Sequence, residues 1–312
     1  MSLIKNKIDT ILSNIDFENI KDHPNILIAA RFWEEDRYEA AKICYKFMRY
    51  IDDLIDDRKA DGNAFSCLEK QLLTDKVNNW IDCLDGSNSE DPFIKVVSDT
   101  ISRYKIPLVF FRNFARSMIY DINHDGFETF ENFLDYAEGA SNGPASVFVH
   151  LNCLRRTNGS YMPWPFDIGD IARPCAIFSY IVHIIRDFQK DQNNHLNYFA
   201  LEPLKRNGLE LQDLQNIAKG GDIPDGFRNV IAEYCEIAQE YRYATKKMLD
   251  MLDSQLEPRY LLSLHIIYNL YNMVFERIDS KKGGFTTSEL NPTPEELKNR
   301  VLRVIQEKQH LF

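Results

Sequence analysis

The run from Tyr45 to Asp57 reads Tyr-Lys-Phe-Met-Arg-Tyr-Ile-Asp-Asp-Leu-Ile-Asp-Asp, and it decides both the fold and the chemistry that we predict. At the helical period of about 3.6 residues, one stripe of this run holds Tyr45, Arg49, Asp52 and Asp56. A solvated helix face usually mixes acids with bases at i,i+4 spacing, whereas this stripe stacks two carboxylates one turn apart. The pattern indicates a divalent cation. The adjacent stripe is apolar and can pack against a core; it consists of Cys44, Met48, Ile51 and Ile55.

A second stretch, residues 180–191, reads Tyr-Ile-Val-His-Ile-Ile-Arg-Asp-Phe-Gln-Lys-Asp and repeats the arrangement. Helical spacing again places two aspartates on one stripe, with His183 and Tyr180 on its N-terminal continuation. A single acidic pair is explained by a solvated face, but two pairs can form facing walls that hold Mg²⁺ and a diphosphate between them. We therefore predict four metal ligands: Asp52, Asp56, Asp187 and Asp191.

Basic and aromatic neighbours of the two acidic pairs allow two interpretations each. Arg49 and Arg186 form ion pairs within the chain, or they bind diphosphate oxygens through the guanidinium fork. His183 is a core histidine, or it contacts the metal or the diphosphate. The tyrosines are core aromatics, or their faces stabilise a carbocation. The predicted catalytic residues are Tyr45, Arg49, Tyr136 and Arg186, and the predicted substrate-binding residues are Arg49, Asp53, Tyr180, His183 and Arg186.

The composition indicates one helical domain over residues 1–312. The chain is 44% hydrophobic and 12% aromatic, which is enough for a large core and an aromatic-lined cavity. Apolar residues recur at helical spacing almost throughout, without a series of alternating strands, so the predicted fold is all-α. The expected helices cover 3–14, a stretch from 26, 35–58, 65–84, 92–104, 107–123, 128–138, 144–156, 168–192, 200–206, 210–218, 226–253, 257–279 and a last segment to 309.

Charge and cysteine usage restrict the class of partner and the compartment. The net charge of -10 argues against nucleic acid, because phosphate binding requires clustered Lys and Arg. The six cysteines form no CxxC pair, as expected of a reduced cytoplasmic protein. The segment Met1–Asn14 lacks the apolar core of a signal peptide, and the run Cys175–Ile185 is too short for a membrane span. We expect a cytoplasmic protein without an obligate protein partner, which a greasy ligand can bring to a membrane surface.

These motifs resemble those of the squalene/phytoene synthase family, the head-to-head trans-prenyltransferases. The runs Tyr45–Asp56 and Ile184–Asp191 look like the two aspartate motifs of that family. The segments between and after them are similar as well: Met118–Asp121, Tyr136 before a small-residue break, and Asn197–Phe199. The likeness covers roughly residues 22 to 280. The departures are His183 for Asn, Tyr180 for Gln, Asn194-His195 for Gly-Arg, the turn Ala140–Ala145, and the segment near Asn25-Ile26.

The resemblance implies an isoprenoid synthase-type helical bundle with a central cavity. It also implies Mg²⁺-dependent condensation of two farnesyl or geranylgeranyl diphosphates through a cyclopropylcarbinyl diphosphate. The product would be a C30 or C40 hydrocarbon of the squalene, dehydrosqualene or phytoene type, a precursor of carotenoids, sterols or hopanoids, with NADPH needed only if the product is reduced. Two alternatives stay open: a terpene cyclase-like diphosphate lyase, and a non-catalytic member that acts as an assembly or lipid-binding factor.

Overall fold

Helices form nearly all the regular structure of the residues that the computed structural model describes, which are 10–19, 24–86, 89–157, 160–162 and 164–308. The all-α prediction is confirmed. The helices are α1 (Asn25–Ala30), α2 (Glu35–Ala60), α3 (Cys67–Asp82), α4 (Pro92–Tyr104), α5 (Leu108–Asn123), α6 (Phe130–Ala140), α7 (Asn142–Cys153), α8 (Ile168–Arg186), α9 (Phe188–Asn193), α10 (Leu201–Arg206), α11 (Leu211–Ala218), α12 (Asp225–Leu252), α13 (Pro258–Phe275), α14 (Thr287–Leu290) and α15 (Pro294–Glu307).

A four-residue helix, α14 (Thr287–Leu290), lies where no helix was expected, and three further segments differ from the sequence prediction. Of the first predicted helix, residues 10–13 are helical, and residues 1–9 lie outside the described part of the chain. A short antiparallel hairpin, β1 (Arg155–Thr157) and β2 (Ser160–Met162), stands where we expected the end of a helix and a loop. The helix predicted over 168–192 is interrupted at Asp187, whose φ of -93° and ψ of 3° separate α8 from α9.

The long helix α2 presents the two faces that its sequence predicts. Its apolar stripe is fully packed, because Cys44, Met48, Ile51 and Ile55 are all buried. The acidic stripe one step around the helix stays partly open to water. Burial of an apolar side chain contributes roughly 1.5–3 kcal/mol, so this stripe fixes the rotation of α2 and thereby the direction of its carboxylates.

Helices α5, α6 and α7 join the two acidic segments into one bundle. Helix α7 contacts both α2 and α8, while α5 contacts α2 and packs closely on α6. The close approach of α5 to α6 requires glycine at position 139, since a Cβ there would lie 2.1 Å from both the Asn113 carbonyl oxygen and the Ser117 Oγ. Capping boxes at Ser66 and Thr129 begin α3 and α6.

Helix α8 is longer than the apolar run from which we argued. It has 19 residues and a mean hydropathy of 1.4, so by length and composition alone it could cross a membrane. The expectation that this region is too short to do so is wrong on those two criteria. Of its most apolar window, 61% is buried inside the protein, where α7 and α12 pack along it. A helix enclosed by neighbours is apolar on all sides, so this observation is weak evidence for a membrane span.

Candidate active site

The first acidic wall is formed by Asp52, Asp53 and Asp56 on α2. Its cation is Arg49, one turn earlier: Nη1 donates to Asp52 Oδ2 at 2.9 Å, and Nη2 forms an ion pair with Asp53. Of the two interpretations of Arg49, the structure therefore shows the ion pairs within the chain. The Arg49 side chain is 48% exposed, so its partners are held loosely and can be exchanged.

The second acidic wall is formed by Asp187 and Asp191, at the junction of α8 and α9. The interruption at Asp187 does not separate them, since the Asp191 amide still donates to the Asp187 carbonyl at 2.8 Å. Both oxygens of the Asp187 side chain already have donors. Arg186 donates two hydrogen bonds to Asp187, from Nε to Oδ1 at 2.7 Å and from Nη2 to Oδ2 at 2.8 Å. His183 Nε2 lies 2.7 Å from Asp187 Oδ2.

These contacts determine the charge state of the second wall. Burial by itself would raise the pKa of Asp187, but His183 and Arg186 outweigh it and hold the pKa well below its usual range. Burial and the neighbouring Arg186 lower the pKa of His183, so its imidazole is neutral near pH 7 and donates the Nε2 hydrogen to Asp187. His183 thus orients a predicted metal ligand instead of occupying a purely apolar environment.

Asp121 on α5 is a further acid of the site, which our prediction of site residues missed. It is buried, accepts a hydrogen bond from the Tyr136 hydroxyl, and its Oδ1 lies 3.4 Å from Lys59 Nζ. Burial raises its pKa, while Lys59 and Tyr136 oppose that rise. The signal was present in the sequence, because Asp121 belongs to the Met118–Asp121 segment quoted for the family resemblance.

The carboxylates of the two walls and Asp121 act on one another. Burial, Asp52 and Asp121 raise the pKa of Asp56 to about 8, with Asp191 adding to the rise. Burial and then Asp187 raise the pKa of Asp191 to about 8, and Asp52 contributes. Burial raises the pKa of Asp52 to about 6, with Asp121 and Asp53 adding to it against Arg49. Elements distant in sequence therefore converge on one electronegative site.

The donor set of this site fits magnesium bound together with a diphosphate. Its acids are carboxylates, the oxygen ligands that Mg²⁺ prefers, and their pKa values are raised by burial and by neighbouring carboxylates more than the local cations lower them. Among the described residues, no three acidic, histidine or cysteine side chains are arranged to hold a metal by themselves. Phosphate oxygens and water would have to complete the coordination, as is usual for Mg²⁺.

Aromatic side chains line the side of the site towards α6 and α8. The Tyr180 ring stacks on Phe133 with centroids 5.7 Å apart, and it lies 6.1 Å from Tyr136 and 6.4 Å from Tyr198. Burial raises the pKa of Tyr136, Tyr180 and Tyr198 well above the ordinary value, so all three hydroxyls stay protonated. Tyr45, one turn before Arg49, is half-buried on the opposite wall.

Two cavities adjoin these helices. One of about 110 Å³ is bounded by Lys59, Asp121, His195, Asn197 and Tyr198, among others. An apolar one of about 10 Å³ lies beside Tyr45 and is lined by α1, α2 and α7. The apolar cavity is barely large enough for one water molecule, so a prenyl chain can enter there only if the helices move apart.

Comparison with known proteins gives the family. Residues 21–294 match the squalene/phytoene synthase family. The chain belongs to the squalene/phytoene synthase family. A 15-cis-phytoene synthase from Synechococcus elongatus is 24% identical over 211 residues, which are 66% of this chain and 65% of that protein, just under two thirds of its length.

Two solved structures share the fold. A dehydrosqualene synthase in complex with a ligand has a TM-score of 0.65 at 16% identity, over 98% of this chain and 97% of the other. The squalene synthase HpnC from Alicyclobacillus acidocaldarius has a TM-score of 0.58 at 14% identity, over 96% and 98% of the two chains. The predicted isoprenoid synthase-type bundle is confirmed.

Four of the five departures from the squalene/phytoene synthase pattern lie near the second wall. Tyr180 and His183 sit on the last turns of α8, with ring centroids 6.3 Å apart. His195 has a left-handed φ of 58° and packs against Gly62, just after α2. The turn Ala140–Ala145 forms the α6–α7 junction, where Ser141 Oγ donates to the Ala176 carbonyl of α8 at 2.8 Å. The fifth departure, Asn25-Ile26, begins α1.

Proposed function

We propose that this chain is a Mg²⁺-dependent prenyltransferase that condenses two prenyl diphosphates head to head. The observation that carries the proposal is the pair of acidic walls, whose carboxylates have raised pKa values, first because they are buried and then because they repel one another. Such a site attracts a cation-bridged diphosphate more strongly than any neutral ligand. Membership of the squalene/phytoene synthase family supports the same conclusion.

The two arginines would bind the diphosphate by exchanging partners. Arg49 is exposed and holds Asp52 and Asp53 at the mouth of the site, and Arg186 lies against Asp187. Bound Mg²⁺ would supply positive charge for these carboxylates and for the leaving pyrophosphate. The guanidinium groups of Arg49 and Arg186 would donate to phosphate oxygens, which suit their planar geometry.

The aromatic side chains would protect the allylic cation formed when pyrophosphate departs. The faces of Tyr136 and Tyr180 offer electron density to a cation, and their protonated hydroxyls are poor nucleophiles. The double bond of the second substrate would attack the cation, and loss of a proton to a base such as the departed pyrophosphate would close the ring of a cyclopropylcarbinyl diphosphate. Loss of its diphosphate and rearrangement would leave a second cation, which gives the linear C30 or C40 product by losing a proton or, for a squalene-type product, by accepting a hydride from NADPH. Exclusion of water by the apolar surroundings prevents the cation from being quenched.

Prenyl tails would enter the apolar space beside Tyr45, between α1, α2 and α7. Since that space is small in this conformation, we expect the short helix α1 to move away from α2 and α7 on substrate binding. Farnesyl and geranylgeranyl diphosphate are both candidates, and a reductive NADPH step would follow only for a squalene-type product. We also propose a cytoplasmic location, with release of the hydrocarbon at a membrane surface.

The test is incubation with farnesyl or geranylgeranyl diphosphate and Mg²⁺, with and without NADPH, followed by mass analysis of the extracted hydrocarbon. A product with twice the carbon number of the substrate is the expected result. Asp52→Ala and Asp187→Ala should abolish it while leaving the helical circular dichroism intact, and wild-type rates in both variants would refute the assignment. A product of unchanged carbon number would indicate a cyclase-like lyase. Failure to release pyrophosphate would indicate a non-catalytic member.

A further inference from the structure

One acid of the site, Asp121, forms contacts that join three helices. It lies near the end of α5, and its Oδ2 accepts a hydrogen bond from the hydroxyl of Tyr136 on α6. Its Oδ1 lies 3.4 Å from Nζ of Lys59, which belongs to the last turn of α2. The two oxygens of one buried carboxylate therefore connect the end of α2 to the aromatic side of the site.

Lys59 is the cation that fixes this carboxylate. Its side chain is only 11% exposed, and its ammonium also donates to the His124 carbonyl at 3.0 Å. A second acid, Asp125, lies 4.0 Å from the ammonium but is almost fully exposed. Among the residues that the structure describes, no other basic side chain lies within 4.0 Å of the Asp121 carboxylate. Because a buried charge is costly unless it is paired, Lys59 holds Asp121 in its present orientation.

Tyr136 is the end of this chain that the proposed reaction uses. Its ring is buried, with its centroid 6.1 Å from that of Tyr180 and 5.0 Å from that of Phe127. An aromatic ring attracts a cation through its face, so its effect depends on the direction in which the face points. Packing restrains the sides of this ring, and the hydrogen bond to Asp121 restrains its hydroxyl end.

We propose that Lys59 is a positioning residue: it holds Asp121, which in turn holds the Tyr136 ring in the orientation that stabilises the allylic cation. This inference rests on the proposed function, because that function assigns Tyr136 its role. Lys59 lies three residues after Asp56 and belongs to neither acidic wall. Without Lys59, we expect Asp121 to turn towards water in the adjoining cavity of about 110 Å³, which both residues line, so that Tyr136 loses its acceptor.

The experiment measures pyrophosphate release and formation of the condensed hydrocarbon in each variant, with farnesyl or geranylgeranyl diphosphate and Mg²⁺. Lys59→Met removes the ammonium from a side chain of similar length. It should lower the hydrocarbon formed per pyrophosphate released by roughly tenfold, the usual effect of losing a hydrogen bond between charged groups, because a misoriented ring lets water capture the cation. Lys59→Arg should restore most of this yield, since the cavity gives the longer side chain room.

Lys70→Met is the matched control. Lys70 also donates to a carbonyl at the end of α5, that of Asn123 at 3.4 Å, but it forms no ion pair with Asp121. Its loss should change the yield by less than about twofold, as expected of an exposed contact. A second test places Lys59→Met in a Tyr136→Phe background. There it should also change the yield by less than about twofold, because the hydroxyl that Asp121 holds is already absent.

The double variant separates positioning from a merely structural ion pair. If Lys59→Met lowers the yield equally in both backgrounds, or leaves it unchanged in the wild type, the inference is wrong while the proposed function stands. If circular dichroism shows that Lys59→Met is unfolded, Lys59→Gln takes its place under the same criteria, since its amide can still donate to the His124 carbonyl. A wild type that forms no product of doubled carbon number would overturn the proposed function, and this inference with it.

Discussion

Asp56→Asn should stabilise the protein in the absence of ligand and weaken its binding of magnesium pyrophosphate. Asp56 lies on the first wall, where burial, Asp52 and Asp121 raise its pKa from 3.8 to about 8. A carboxyl whose pKa is raised by folding favours the folded state when protonated. That contribution is complete below about pH 4 and is lost as the pH rises towards 8. The melting temperature of the wild type should therefore decrease as the pH is raised from 6 to 9.

The size of the effect follows from the shift in pKa. Each pKa unit corresponds to about 1.4 kcal/mol, so a shift from 3.8 to about 8 means that ionised Asp56 would destabilise the fold by at most roughly 6 kcal/mol. Water reaches this half-buried side chain, and at pH 8 it is still partly protonated, so we expect the amide to gain about 1–3 kcal/mol. For a chain of this length, that gain raises the melting temperature by roughly 2–6 °C.

Differential scanning fluorimetry from pH 6 to pH 9, with and without Mg²⁺ and pyrophosphate, measures both parts of this prediction. Asp57→Asn is the matched control, since it makes the same chemical change at the next residue of α2, on an exposed side chain. The Asp56 variant should show a flatter pH profile and a smaller stabilisation by magnesium pyrophosphate. A melting temperature at pH 8 that is no higher than that of Asp57→Asn would refute the electrostatic argument.

Two further predictions concern the supports of the site. His183→Ala removes a hydrogen-bond donor from Asp187, whose depressed pKa contributes stability that is lost as the pH falls. Acid unfolding of the variant should therefore begin at a higher pH than that of the wild type. Circular dichroism between pH 7 and pH 3 would detect this change, and an unchanged curve would contradict it. Gly139→Ala places a Cβ 2.1 Å from the Asn113 carbonyl oxygen and should destabilise the fold by about 1–3 kcal/mol in urea unfolding, whereas a fully stable variant would show that α5 and α6 can separate freely.

The helices were predictable because their apolar stripes are strong local signals. The stripe on α2 is buried as its spacing required, and most other helices lie within a few residues of their predicted bounds. The hairpin Arg155–Thr157 and Ser160–Met162 was missed because three-residue strands are too short to show alternation. The interruption at Asp187 was missed because the apolar pattern continues through it, while the backbone conformation of one residue leaves no periodic signal.

Which residues meet in the site was only partly predictable. Helical spacing indicates that Asp52 and Asp56 share a face, but it says nothing about Asp121, which packing of α5 against α2 and α6 brings to the same place. The bonds from Arg186 and His183 to Asp187 also depend on rotamers and on the local interruption of the helix. The roles that we assign to these residues in catalysis and binding stay predictions.

The carboxylates of the two walls differ in how far neighbouring side chains stabilise them, and this difference bears on the departures at the second wall. His183 and Arg186 satisfy Asp187 within the chain, so this wall is organised before any ligand arrives. Asp52 and Asp56 on the first wall and Asp191 on the second keep raised pKa values, because burial and the neighbouring carboxylates outweigh the local cations. An added Mg²⁺ ion would therefore stabilise carboxylates of both walls. His183, which stands where the family usually has Asn, would assist by holding Asp187 through a hydrogen bond within the chain.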